Sequence, residues 1–163
     1  MHTLRSRVIV TVVLSAGLAA CGSSAHTSKI DSAVTAQRVG PISLGEPRAK
    51  VEAVAGKGQF VRAGKRSQGT GTVLIAYPAV SIRVIYLTRH GKAAAFVVET
   101  TSSNYRTKSG IGVGSTVEQV KKIGADCASE CVLKNASAGT ETDFALDNRG
   151  MRVIRLSVGP LFN

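Results

Sequence analysis

The 163-residue chain has no tryptophan, 4% aromatic residues and 10 acidic side chains against 21 basic ones. So few aromatics require a core of Val, Ile, Leu and Ala, and leave little for an aromatic-anchored binding surface. Histidine is equally scarce. His2 and His26 lie near the N-terminus and His90 beside a turn glycine, so acid–base catalysis would rest on one turn residue. Asp143 and Asp147 are four apart, a spacing common to surface pairs. No P-loop, dinucleotide or metalloprotease spacing occurs. Gly110, Gly112 and Gly114 alternate, but no Gly-Lys-Ser/Thr follows them. The sequence therefore reads as non-enzymatic, with no cofactor and no metal. No apolar run reaches the about 20 residues that a spanning helix needs, and no block of five like charges suggests a polyelectrolyte tail.

What is present begins at the N-terminus. Arg5 and Arg7 precede the apolar stretch 8–20, which ends in Leu18-Ala19-Ala20-Cys21. A basic start, a short hydrophobic run and small residues before a cysteine form the cleavage and lipidation signal of a bacterial lipoprotein. An uncleaved anchor is the other reading of the same run. Residues 1–20 are expected to be the signal peptide, Cys21 the lipidated first residue and 21–37 a flexible tether. This places the protein on the extracytoplasmic face of a cell membrane, or on an outer membrane if the organism has one. The remaining 143 residues carry 19 basic and 10 acidic side chains, a net charge of +9. That charge favours anionic surroundings, and export argues against nucleic acid as a partner.

Assigning Cys21 to the lipid leaves Cys127 and Cys131. In an oxidising compartment a disulfide is the simplest reading of this pair. The spacer Ala128-Ser129-Glu130 is one residue longer than in the common redox motif, and a zinc site lacks neighbouring histidines.

From residue 38 apolar patterning sets in. Ile42-Ser43-Leu44-Gly45 alternates like a strand, and 46–55 reads as a helix with Pro47 in its first turn, Val51, Val54 and Ala55 as its buried stripe, and Gly56 and Gly58 at its end. Strands are expected at 59–62, 72–77, 80–88 and 93–101, with turns at Gly64–Gly71, Pro78 and Arg89–Gly91. Ile111 to Val120 then matches Ile42 to Val51 at an offset of 69, with Ser115 and Glu118 as a capping box and Val117, Val120 and Ile123 as the apolar face. Further strands are expected at 132–134, 140–146 and 151–158, with a hairpin turn at Asp147–Gly150. The expectation is an α+β fold of two tandem repeats, about 38–104 and 105–163, each a short helix packed on an antiparallel sheet.

The doubled hydrophobic-x-hydrophobic-Gly step with its following helix resembles two related groups: small outer-membrane lipoproteins of the SmpA/OmlA (BamE) type and the tandem-repeat β-lactamase inhibitory protein. The resemblance implies proteins that bind other proteins. The inhibitor's aromatic contact residues have no counterpart here. The expected function is a non-enzymatic, protein-binding scaffold of the cell envelope, attached to the membrane through Cys21. The alternative is a basic module whose loop residues Arg62, Lys65 and Arg66 meet anionic lipid or cell-wall polymer. Ser103 to Thr107, between the repeats, is a second candidate contact.

Overall fold

The computed structural model describes residues 31–64 and 70–161. Cys21, the signal stretch, most of the expected tether, Lys65 and Arg66 lie outside the described residues.

The two α-helices among the described residues are short. α1 (Arg48–Ala55) follows an extended Pro47 and ends at Gly56, whose φ of 79° suits glycine. Glu46 lies just before it and pairs with Lys50 at 3.1 Å, while Arg48 pairs with Glu52 at 2.8 Å. Val51 and Ala55 are buried, but Val54 is 53% exposed. Eight residues present only a narrow stripe, so the third expected core position falls outside it. α2 (Val117–Lys121) has a capping box, one residue later than expected. Thr116 accepts the Gln119 N–H, and the Gln119 side chain accepts the Thr116 N–H. The Ser115 hydroxyl instead turns inward, accepting from the Gly112 N–H at 3.1 Å and from Arg106 at 3.2 Å.

Twelve strands complete the described chain: β1 (Ala33–Thr35), β2 (Arg38–Val39), β3 (Ile42–Ser43), β4 (Gln59–Ala63), β5 (Gly71–Tyr77), β6 (Ile82–Arg89), β7 (Lys92–Thr100), β8 (Arg106–Thr107), β9 (Asp126–Cys127), β10 (Glu130–Asn135), β11 (Thr140–Leu146) and β12 (Val153–Pro160). They form a four-stranded sheet in the order β3-β2-β1-β8 and an eight-stranded sheet in the order β4-β5-β6-β7-β12-β11-β10-β9. All neighbours in the large sheet are antiparallel; β1 and β8 are parallel.

This overturns the expectation of two helix-on-sheet tandem repeats. The fold is mostly β, and the strands expected in separate repeats share one sheet, joined where Thr100, Glu99 and Val98 of β7 pair with Leu156, Ser157 and Val158 of β12. Helices of eight and five residues are too short to roof two such sheets by themselves. The small sheet supplies the missing cover, and its strands β1, β2 and β8 come from segments read as tether, strand lead-in and connector. β1 therefore places order inside the expected 21–37 tether. The connector is structural too: Tyr105 is buried and its hydroxyl donates to the Val80 carbonyl at 2.6 Å.

One face of the large sheet carries the core. α1 lies against β7 and β3, α2 against β9 and β10, and the small sheet rests on β7 and β12 through β2. Val34, Val39, Ile42, Val51 and Val120 meet Ile75, Val84, Val98, Phe144 and Leu156 there. Tyr77 and Tyr86, both buried in this cluster, share a hydrogen bond at 2.7 Å between their hydroxyls. At Gly40 (φ 57°) the chain runs so close to Tyr105 that an added Cβ would lie 2.5 Å from its ring.

Candidate functional site: the open face of the large sheet

Strand alternation puts every second residue on the face away from the core. Paired residues carry one row across all eight strands: Gln59, Ala76, Arg83, Glu99, Ser157, Asp143, Val132 and Asp126. Side chains on this face are half-exposed or exposed apart from Leu74, Glu99, Ser157 and Gly159.

The row is polar at its centre. Glu99 receives Arg83 at 2.8 Å and Arg155 at 3.7 Å, and is itself almost covered. Ser157 donates to Asp143 at 3.4 Å. Burial pushes the Asp143 carboxyl up to about 6, with Glu141 and Glu130 adding repulsion and Ser157 and Arg155 opposing it. Among the described residues no histidine is hydrogen-bonded to Ser157 or Asp143. Among the described residues no three His, Cys, Asp or Glu side chains converge in a metal-binding arrangement.

Charge divides across this face. By register, β4 to β7 contribute Arg62, Arg83, Arg89 and Lys92 against Glu99. β9 to β11 contribute Asp126, Glu130, Glu141 and Asp143 against Lys134. Arg155 stands between them on β12. The basic half also carries an apolar strip, Leu74, Ile85, Leu87 and Val97. A cleft of about 320 Å³ lies over Arg83 and Glu99, bounded by Ala76, Pro78 and Thr101.

Of the residues singled out in the sequence, Arg62 is exposed on the edge strand β4 and lines a cleft with Thr72, Leu74 and Ile85. Cys127 and Cys131 are joined by a disulfide across the β9–β10 hairpin, with Cys131 fully buried. Arg62 thus belongs to the open face, whereas the disulfide fastens the far edge of the sheet. His90 forms the β6–β7 turn. Sequence alone did not single out Arg83, Glu99 and Arg155, and it offered Asp143 only as half of a surface pair with Asp147. Their signal was present as charged residues at alternate positions inside apolar strands, but which strands are neighbours cannot be read from alternation.

Comparison of the chain with protein-family models, with curated proteins and with solved structures returns no match.

Proposed function

We propose that the chain is an exported bacterial lipoprotein, held by an acyl group on Cys21 at the extracytoplasmic side of a membrane, which works by binding another protein through the open face of its large sheet. The observation that carries this reading is the polarised face itself. A broad surface with an apolar strip, a basic half and an acidic half has the makings of a protein interface, in which complementary charge sets orientation and apolar contact supplies affinity. The likeness of the two glycine-containing lead-in segments to small envelope lipoproteins supports a binding role as well. The partner presents the opposite arrangement, cationic groups toward Glu141 and Asp143 and anionic groups toward Arg62 and Arg83.

Site-specific photocrosslinking in cells tests this. A crosslinker at Val132 or Ile85, on the open face, should trap one defined protein, and one at Val54 or Glu118, on the helix side, should not. Equal trapping from both sides, or none from the open face, would end the proposal. Cys21→Ser should leave the protein unacylated by mass spectrometry and release it from membranes.

A further inference from the structure

The large sheet contains a notch. β12 pairs with β7 only between Val98 and Thr100, and the first half of β7 turns instead to the segment before α1, where the Gly45 N–H donates to Ala95 O at 2.7 Å and the Ala95 N–H to Glu46 O at 2.8 Å. The register of the β6–β7 ladder shifts at the same place, with Ile85 opposite Val97 and Tyr86 opposite Ala95, and marks this divergence. A cleft of about 390 Å³ opens there, lined on its apolar side by Leu44, Leu87, Ala94, Phe96 and Pro160. Thr140 also borders it, its hydroxyl already donated to Ala36 O.

Two cations stand at the rim. Arg89 and Lys92 line the cleft and are directly opposite one another in register. The tight turn His90-Gly91, with φ of 49° and 76°, holds them there. Both are exposed, and among the described residues neither has a carboxylate within ion-pair distance. Like charges placed opposite each other destabilise a sheet, so folding does not account for the pair. An anion between them relieves the repulsion, and the apolar lining beside them takes hydrocarbon.

We propose that this notch binds an acyl chain ending in an anionic group, its methylenes against Leu44, Leu87, Phe96 and Pro160 and its anion between Arg89 and Lys92. The volume suits a small ligand. The notch shares Leu87, Arg89 and Lys92 with the open face, but the inference rests on the notch's own geometry and does not depend on lipidation of Cys21 or on a protein partner.

The test uses the full chain carrying Cys21→Ser, so that no attached acyl group competes, with decanoate, methyl decanoate and inorganic phosphate as probes. Decanoate should bind saturably and shift the amide resonances of Gly45, Ala94 and Ala95. Methyl decanoate, with the same chain and no charge, should bind about tenfold more weakly, as loss of charge-assisted contacts predicts. Arg89→Gln with Lys92→Gln, both at the exposed hairpin tip, should bring decanoate down to the affinity of the ester and leave the ester unchanged. Ala94→Phe, which fills the notch, should abolish both while the rest of the amide spectrum is retained. If Ala94→Phe fails to fold, the rim variant and the amide map still decide. Equal binding of decanoate and its ester, shifts centred elsewhere, or phosphate binding as well as decanoate would each overturn the proposal.

Discussion

Asp143 and the tyrosine pair show how one sheet treats polar groups differently on its two faces. Asp143 is held up to about 6 by burial first and by Glu141 and Glu130 second. A folded value above the usual one near 4 means that the folded state holds the proton more tightly than the unfolded chain does. Stability from this group is therefore fully present below about pH 4 and is lost as pH rises through about 6. Asp143→Asn removes the titration at nearly constant size. The variant should match wild type near pH 4 and be more stable by about 1–2 kcal/mol at pH 7, a figure reduced for partial exposure. Urea midpoints at the two pH values check it, and a difference independent of pH would contradict it. On the core face, Tyr77 and Tyr86 satisfy each other, and burial raises both hydroxyls above the ordinary phenol value. Tyr86→Phe should cost about 1–2 kcal/mol by depriving Tyr77 of its partner. Adding Tyr77→Phe should cost less than a second full increment, because the two effects share one hydrogen bond. A thermodynamic cycle of the four proteins measures this coupling.

Among the elements, the β9–β10 hairpin depends most on a covalent bond. β9 has two residues and ends the sheet, and the Cys127–Cys131 bridge joins it directly to β10. Replacing both cysteines with alanine should destabilise the protein by about 2 kcal/mol, the loop-entropy estimate for a five-residue ring. Amide exchange should accelerate at residues 126–131 while β7 and β12 keep their protection. Loss of protection in those central strands would show that the edge supports the whole sheet. Element identity itself was legible. The strand runs at 59–62, 72–77 and 140–146 match β4, β5 and β11 to within a residue, because each shows β-rich composition between turn residues. Two- and three-residue strands such as β1, β2 and β8 show no such run. They form through pairing within the small sheet, β1 with β2 and β8 and β2 with β3.

For the molecule as a whole, the organising fact is that a chain of net charge +11 gathers four of its ten acidic residues on three neighbouring strands of one face. Glu130→Lys with Glu141→Lys reverses that half without touching the core. The double variant should weaken the photocrosslinked complex at low salt, and the deficit should shrink at high salt as screening shortens the range of the charges. A deficit independent of salt would mean that these residues act by shape and not by charge.

The chain by itself determined the short helix beginning near Pro47, most of the long strands, the capped helix near Val117 and the availability of Cys127 and Cys131 for a bond, because periodicity, turn chemistry and cysteine parity are local or compositional. Tertiary structure decided that β7 pairs with β12, which merged two expected repeats into one sheet and aligned Arg83, Glu99, Ser157 and Asp143 in one row. It likewise decided where β12 leaves β7, and so opened the notch beside Arg89 and Lys92. Pairing between strands separated by more than fifty residues depends on which faces are buried together, and side-chain alternation along one strand carries no information about the identity of its neighbour.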